Sequence, residues 1–591
     1  MISATHFLRK PRVQIKFFCG LLCILSPIVA AEISIHGIAL DLDGRPVSEA
    51  MLSFRPAIGP SGGNVITVFS DREGRFSYPD VFLKVPNVGE SMAARALGYE
   101  QKEIITRSGV HEPNVQVTVI MRKTSNQADS APASAWLDGI IDREEKAQMI
   151  QDCVGCHQVP SVQVRAYAQQ ISEVDGPDPQ AVRDQSWSAI VQYMNYLSAE
   201  EFSRGREAGP PDAGRVYATR RYEEVAKTLS THFLGPMNEL RGYTYGAPLA
   251  VTPETVIREY EVPEPNAIRE ALLLGDPPEL WVADVSTNRM FAINAATGAQ
   301  RVVRVPYEGV MGPHSLHRGA DGSLWVTPLF TSVIAHLDLQ TESWRTWGMK
   351  TISGEDIGVH DLSFGYQHEL LTDTQGRIWY SDIRNNAVGY LDPETGDAEI
   401  YRVPDVPGRS SSGAMLYGLV MTSDRKRIWY SQLGIGSFGS FNIETLEFEQ
   451  LIQLPSADSG PRRLSISDED VMYVPLYGSG QLVEYDTVAG RQIGIYDLPD
   501  TGSAPYAVTW DPVRRVVWIP TSNGNVIYRF DPSDKSFGVV PLPSQGAFLR
   551  MIDVDPDTGV LVTSYANVVD FVRGPRMALT VDPGDQAYPV H

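Results

Sequence analysis

The chain has 591 residues, with 50 lysines and arginines against 72 aspartates and glutamates, and its net charge is −22. This excess of negative charge argues against a protein that binds nucleic acid or an anionic membrane surface. The length predicts several domains rather than one.

The N-terminus has the pattern of a secretory signal peptide. Four basic residues between Arg9 and Lys16 precede a mostly apolar stretch at 17–29, and two alanines then offer a cleavage site. The apolar stretch is shorter than the about 20 residues that span a bilayer. We therefore expect residues 1–31 to be removed, leaving a periplasmic protein without a membrane span.

Residues 32–123 are rich in short β-type segments separated by Gly, Asp and Pro turns. The runs Gly37–Val47, Ser70–Phe76 and Ala96–Tyr99 resemble the carboxypeptidase regulatory-like domain, a transthyretin-like β-sandwich. This resemblance implies an accessory or docking module without chemistry of its own. The small, polar residues 124–134 that follow predict a flexible linker.

The run Cys153-Val154-Gly155-Cys156-His157 has the C-x-x-C-H spacing of a c-type haem attachment site. Each thiol can form a thioether with one haem vinyl group, and the adjacent imidazole can bind the iron. A thioredoxin-like pair would need a strand before the motif, and a zinc site would need two further ligands. The sequence nearby offers neither, so it predicts one covalent haem c.

Residues 135–240 are mainly helical in pattern and resemble a small class I cytochrome c domain. Met194 ends a Trp-x-x-Ile-Val-x-x-Met pattern similar to that of cytochromes whose helical methionine binds the iron. The resemblance implies that Met194 is the second axial ligand, with His232 and then Met237 as alternatives. Methionine ligation raises the reduction potential relative to two histidines. A role for Met194 in the core is the other possibility.

Residues 241–591 repeat a strand that contains a large aromatic residue at intervals of about 45 residues, the period of a four-stranded propeller blade. The seven copies are Leu280–Asp284, Leu324–Pro328, Ile378–Asp382, Ile428–Gln432, Met472–Pro475, Val517–Pro520 and Val560–Ser564, of which the last is degenerate and lacks the aromatic residue. The segment Thr255–Val262 is predicted to supply the strand that closes the last blade. The predicted fold is thus mainly β and multidomain: a β-sandwich, a small all-α cytochrome c domain and a seven-bladed propeller.

The segments Gly312–Thr327 and His368–Asp382 resemble the repeats of the streptogramin B (virginiamycin B) lyases. The resemblance implies lyase chemistry by a histidine and an acid near a magnesium ion at the top of the propeller. His368 and Asp382 keep the spacing of such a pair, whereas His314 keeps the histidine alone. In later blades other side chains replace the histidine, namely Tyr417, Arg462 and Tyr506.

These inner-strand positions, together with Asp382 and Arg463, should converge on one cavity at the propeller axis. Cations beside imidazoles and phenols would suit an anionic or phenolic small-molecule substrate; alternatively, the residues cap the central channel. The leading function is a periplasmic haem protein that transfers electrons or oxidises a substrate and has a redox partner protein. The alternatives are a magnesium-dependent lyase and a non-enzymatic binding or scaffold protein, so enzyme activity is left open.

Overall fold

The structure is a computed structural model. It describes residues 32–585 except the segments 57–63, 84–87, 109–113, 204–220, 264–266, 308–310, 349–365, 410–412 and 568–574. The predicted signal peptide, residues 1–31, lies outside the described residues.

Two small sheets form the N-terminal region. The strands are β1 (Glu32–Asp41), β2 (Met51–Phe54), β3 (Asn64–Phe69), β4 (Arg75–Leu83), β5 (Met92–Arg95), β6 (Tyr99–Ser108) and β7 (Asn114–Lys123), with a 3-10 turn at Val88–Ser91. One sheet has the order β4-β1-β7-β6, and β3, β2 and β5 are neighbours in the other. Apolar residues from both sheets, such as Leu52, Val68 and Val117, share one core, so the two sheets pack face to face.

The chain from residue 256 onward folds into four-stranded antiparallel sheets. The strands are β8 (Val256–Glu261), β9 (Ile268–Leu274), β10 (Glu279–Asp284), β11 (Arg289–Asn294), β12 (Gln300–Arg304), β13 (Pro313–Arg318), β14 (Leu324–Pro328), β15 (Val333–Asp338), β16 (Ser343–Gly348), β17 (Gln367–Thr372), β18 (Ile378–Asp382), β19 (Ala387–Leu391), β20 (Ala398–Arg402), β21 (Leu416–Met421) and β22 (Arg427–Gln432). They continue as β23 (Ser437–Asn442), β24 (Glu447–Gln453), β25 (Ser465–Ile466), β26 (Val471–Leu476), β27 (Gln481–Asp486), β28 (Arg491–Asp497), β29 (Thr509–Asp511), β30 (Val516–Pro520), β31 (Val526–Asp531), β32 (Ser536–Pro541), β33 (Asp553–Val554), β34 (Leu561–Ser564) and β35 (Met577–Asp582). A 3-10 turn at Ala457–Ser459 precedes β25.

Seven of these sheets follow one another as blades among the described residues. Six consist of consecutive strands, from β9–β12 to β29–β32, and the seventh combines β33, β34 and β35 with β8. The first strand of each blade contacts the first strand of the next, and β34 contacts β9, so the ring closes. The predicted aromatic-rich strands are the second strand of every blade, and the propeller has the predicted closing strand, β8.

The closing strand also joins the propeller to the N-terminal sheets. One edge of β8 pairs antiparallel with β35, and its other edge pairs antiparallel with β3. Ile257 is therefore opposite Val581 on one side and Thr67 on the other. The last blade and the second N-terminal sheet form one continuous seven-stranded sheet.

Four helices lie between these β regions: α1 (Arg143–Cys153), α2 (Val162–Ser172), α3 (Pro179–Ser203) and α4 (Tyr222–His232), after a 3-10 turn at Ala133–Gly139. The Asp142 carboxylate caps α1 by accepting from two backbone N–H groups, and the Ser161 hydroxyl caps α2. Trp187 packs edge-on against Tyr167 and Phe233. Within the described residues, the helices do not combine the length and apolar character needed to cross a membrane.

The helical region packs on the face of the propeller where the innermost strands begin. Val154 and Trp187 belong to the same apolar core as Tyr417 and Tyr477 of the propeller. The segment 124–134, predicted as a linker, is hydrogen-bonded to its surroundings: the Gln127 backbone N–H donates to Leu240 O, and Ser134 N–H donates to Asn523 O. The helices and the propeller are therefore held together by a shared core and by backbone contacts.

Candidate functional site

The C-x-x-C-H motif forms the tight turn that follows α1. Cys153 is the last residue of this helix, and Cys156 lies in the turn after it. The buried His157 ring places Nδ1 2.7 Å from the Gln158 carbonyl oxygen. Because a carbonyl only accepts, Nδ1 carries the proton and Nε2 keeps its lone pair, the arrangement typical of metal-ligating histidines. Burial lowers the pKa of His157, which keeps the ring neutral. These residues fit a covalently attached haem with His157 on its iron.

Two propeller side chains bind the backbone inside the motif. The Tyr477 hydroxyl donates to the Val154 carbonyl oxygen. The Arg550 guanidinium donates through Nη2 to the Gly155 carbonyl oxygen over 2.7 Å. Both side chains are buried. The turn that carries the two thiols is thus fixed directly to the propeller.

The residues after the motif make a second set of contacts with the propeller. The Gln158 amide donates over 2.7 Å to Asn525 Oδ1. The Asn523 side chain accepts from the Val159 N–H over 2.8 Å and donates to the Val159 carbonyl over 2.9 Å. Since all of these groups are buried, each bond is shielded from competition with water.

Directly below the motif is a ring of seven side chains, which we call the axial ring. Each stands at the same position near the start of an innermost strand. The members are Arg269, His314, His368, Tyr417, Arg462, Tyr506 and Arg550. All seven are buried, so the ring is a packed layer across the propeller axis.

Several members of the axial ring are in contact with one another. The ring centroids of His314 and His368 are 5.0 Å apart, and those of His368 and Tyr417 are 4.0 Å apart. The Tyr417 and Tyr506 hydroxyls share a hydrogen bond, and the Arg462 guanidinium lies 4.2 Å from the centre of the Tyr506 ring. Burial lowers the pKa of both imidazoles well below the usual range, so they are neutral.

Burial and nearby positive charge act in opposite directions on the Tyr506 phenol. Burial raises its pKa, but the positive charges of Arg550, Arg462 and Arg463 outweigh burial and hold the pKa at about 7. The hydrogen bond from Tyr417 acts in the same direction. A phenolate at this position offsets part of the positive charge that three guanidinium groups bring into a buried layer.

The lowered pKa of Tyr506 predicts a pH-dependent stability. An unfolded tyrosine ionises near pH 10, whereas folded Tyr506 ionises at about 7. Between these values the unfolded state binds more protons, so the free energy of unfolding should rise with pH. Tyr506→Phe should lose this rise, whereas Tyr193→Phe, at an exposed position, should keep it. Urea unfolding from pH 7 to 10 measures it, and parallel profiles for Tyr506→Phe and wild type would contradict the assignment.

The next residue along each innermost strand forms a second layer, the lower ring. Its members are Glu270, Ser315, Glu369, Gly418, Arg463, Ala507 and Met551. Arg463 makes most of the contacts in this layer. Its Nη2 atom contacts a Glu270 carboxylate oxygen and donates to Ser315 Oγ over 2.8 Å. The same atom lies 3.3 Å from His368 Nε2. Its Nε atom is 3.6 Å from a carboxylate oxygen of Glu369. Burial raises the pKa of Glu369 to about 7, although the positive charge of Arg463 acts to lower it.

Beyond the lower ring, a cavity of about 550 Å³ continues along the axis. We call it the axial channel. Its inner end is formed by Glu270, Glu369 and Arg463, and its walls include many apolar side chains of the innermost strands. Its mouth lies among the turns after these strands, near Ser423 and Asp468. The channel therefore opens on the propeller face opposite the helical region.

The predicted propeller residues have separate positions in this arrangement. His314, His368, Tyr417, Arg462 and Tyr506 come together in the axial ring, and Arg463 lies in the lower ring.

Asp382 caps the turn after β18 instead. Its carboxylate accepts from the backbone N–H of Tyr366 and from the backbone N–H and amide of Asn385. Among the described residues, no group of three or more histidines, cysteines, aspartates or glutamates is arranged to hold a metal ion. The donor set for magnesium that the resemblance implies is not assembled there.

Arg269, Arg550 and Tyr477 were not predicted as site residues. Arg550 stands as far before Ser564 as His368 stands before Asp382, so a full alignment of the repeats contains the signal for both arginines. Tyr477 follows the second strand of its blade, and its contact with Val154 has no signal in the repeat.

The candidate second axial ligands lie on different parts of the helical region. Met194 is half-buried on α3. His232 ends α4, with Nε2 3.4 Å from a Glu145 carboxylate oxygen, a contact that iron ligation would break. Met237 is buried in the core that contains Val154. All three remain candidates in this geometry.

No protein-family model and no curated protein matches the chain. Among solved structures, it is similar to a streptogramin B lyase with 16% identity and a TM-score of 0.46, over 56% of this chain and 97% of the lyase. It is likewise similar to selenomethionine-substituted virginiamycin B lyase from Staphylococcus aureus, with 16% identity and a TM-score of 0.45. This similarity covers 55% of this chain and 99% of the lyase. The strand pairings described above establish the seven blades, and these likenesses carry no statement about activity.

Proposed function

We propose that the chain is an exported, periplasmic c-type haem protein that transfers electrons between a ligand of the propeller and a redox partner protein. One covalent haem would be held by thioethers from Cys153 and Cys156, with His157 on the iron. The observation that carries this proposal is the fixed turn after α1, in which His157 Nδ1 is committed to the Gln158 carbonyl and Nε2 is left for a metal. When bound, the haem supplies a one-electron acceptor and donor.

The contacts of this turn support a role in electron transfer with the propeller. Tyr477 and Arg550 hold the Val154 and Gly155 carbonyls, so the attachment site has a fixed position relative to the axial ring. The rate of electron transfer depends steeply on distance, and a rigid mount keeps that distance constant. A haem-attachment site on a mobile linker would not need these buried hydrogen bonds to the propeller. The net charge of −22 favours a partner with a basic docking surface.

Met194 is our proposed second axial ligand. Replacing Met194 with alanine should leave the covalent haem in place and remove the long-wavelength absorption band of methionine–iron ligation. Met237→Ala, which truncates a buried methionine of the same region, is the matched control and should keep the band. The experiment is an absorption spectrum of the oxidised protein, expressed together with a cytochrome c maturation system.

The other outcomes of this experiment are equally informative. A band lost in Met237→Ala but kept in Met194→Ala would contradict Met194 as the ligand. A spectrum that changes in His232→Ala alone would assign the ligand to α4. Protein that leaves the maturation system without covalent haem would overturn the proposed function itself.

A further inference from the structure

We propose that the axial channel binds a phenol or hydroquinone as electron donor, with Glu369 as proton acceptor and the axial ring as the bridge to the haem-attachment turn. The inference rests on the proposed function for the electron acceptor, and it adds the class of donor and the residues that act on it.

The shape and chemistry of the channel fit such a molecule. Its volume of about 550 Å³ is within the usual range for small-ligand pockets. The walls are mixed: apolar side chains such as Ile466 can contact a flat ring, and polar groups at the inner end and along the walls can bind hydroxyls. A donor with an apolar ring and a hydroxyl at one end matches both surfaces.

The inner end has one guanidinium and two carboxyl groups, so it offers no excess positive charge to an anion and favours an uncharged donor. Arg463 is in contact with Glu270, and nearer the mouth Arg318 lies 3.2 Å from Asp553. These two cations thus already have acidic partners, and Arg425, the third arginine of the lining, donates to the Thr372 carbonyl oxygen. The Glu369 side chain is 21% exposed and faces the channel, so its carboxylate can accept a hydrogen bond from a bound hydroxyl.

A continuous series of contacts leads from this end of the channel to the haem-attachment turn. It passes from Arg463 to His368 over 3.3 Å and from His368 to the Tyr417 ring. The Tyr417 and Tyr506 hydroxyls then share a hydrogen bond, and Tyr506 Oη is 3.4 Å from Arg550 Nη1. Arg550 in turn donates to the Gly155 carbonyl inside the motif. Bonded and closely packed groups of this kind give better electronic coupling than open solvent.

The proposed step balances in protons and electrons. The hydroxyl O–H bond of the donor breaks, its proton passes to the Glu369 carboxylate, and one electron leaves the donor across the axial ring. The acceptor would be the haem that Cys153, Cys156 and His157 would hold, which would take up one electron from the donor and supply it to the redox partner protein. A hydroquinone completes its oxidation by repeating the step.

Binding can be measured separately from electron transfer. The holoprotein is first reduced, which prevents turnover, and anaerobic hydroquinone is titrated into it by calorimetry from pH 6 to 8. Hydroquinone keeps its protons in this range, because phenols ionise near pH 10. The affinity should rise as the pH passes about 7, where Glu369 loses its proton.

Arg463 and Glu270 act directly on the charge of Glu369. The other titratable or charged groups that line the channel are His317, Arg318, Arg425, Asp468 and Asp553. Glu369→Gln isolates the contribution of Glu369, because the amide keeps the shape of the side chain and does not titrate.

Glu369→Gln should weaken hydroquinone binding about tenfold at pH 8, as expected for one hydrogen bond to a charged group, and should remove the rise in affinity near pH 7. Glu444→Gln, at an exposed site on the outer edge of its blade, should bind as wild type does. Wild-type affinity and pH dependence in Glu369→Gln, or no binding at all, would overturn the channel assignment.

Tyr417→Phe and Tyr506→Phe should slow haem reduction by hydroquinone without changing the affinity for it. Unchanged reduction rates in both variants would overturn the proposed bridge. A missing covalent haem would instead overturn the proposed function, and the binding titration would still test the channel.

Discussion

Replacing both Cys153 and Cys156 with serine should leave the exported protein without covalent haem. A serine hydroxyl does not form the thioether that holds the macrocycle, and the chain has no second C-x-x-C-H run. The Ser side chains are close in size to cysteine, so the propeller should still fold. The measurement is a haem stain after denaturing electrophoresis, which detects covalently bound haem alone.

The chain provides its own matched control, because Cys19 and Cys23 are its two other cysteines. Both lie in the apolar stretch of the predicted signal peptide, so alanine, which keeps that stretch apolar, should leave the haem stain at the wild-type level. The attachment assignment would be contradicted if Cys153→Ser/Cys156→Ser kept the stain.

Arg463→Leu should be among the most destabilising single substitutions in the propeller, at about 3–5 kcal/mol of unfolding free energy. The Arg463 guanidinium contacts the Glu270 carboxylate in the lower ring, and both side chains are almost fully buried. Leucine would leave Glu270 charged and unpaired in a site of low polarity. The change is measured by urea unfolding of the full chain, followed by tryptophan fluorescence.

Two further variants make the test specific to this ion pair. Glu270→Leu/Arg463→Leu should recover much of the lost stability, since removing both charges is far less costly than removing one. Arg515→Leu breaks an exposed pair with Glu469 and should change stability by no more than about 1 kcal/mol. A loss in Arg463→Leu no larger than that in Arg515→Leu would contradict the buried-pair assignment.

The repeated architecture was predictable because its signal is local and recurs. Each predicted aromatic-rich strand, such as Ile378–Asp382, is the second strand of a blade, where the large side chain fills the space between neighbouring sheets. The closing strand within Thr255–Val262 could be predicted as well, because a ring of seven such units needs one strand from the other end of the array.

Contacts between distant parts of the chain could not be predicted in this way. Arg550 is 395 residues from Gly155, and Tyr477 is 323 residues from Val154. Neither contact follows from the pattern of either segment taken alone. The same holds for Asp382, whose spacing from His368 suggested a catalytic pair, although its carboxylate accepts hydrogen bonds from a turn.

The strand β8 has a consequence for the order in which the molecule is made. It lies between β3, from the first part of the chain, and β35, from the last. During synthesis its edge toward β3 can pair as soon as β8 emerges, whereas its other edge must wait for the C-terminal strand. The N-terminal sheets therefore act as an assembly platform that holds the closing strand in place. Deleting them would leave β8 with an unpaired edge open to other chains. A shortened protein that lacks residues 32–123 should therefore aggregate, even though it keeps every blade-forming segment from β8 onward.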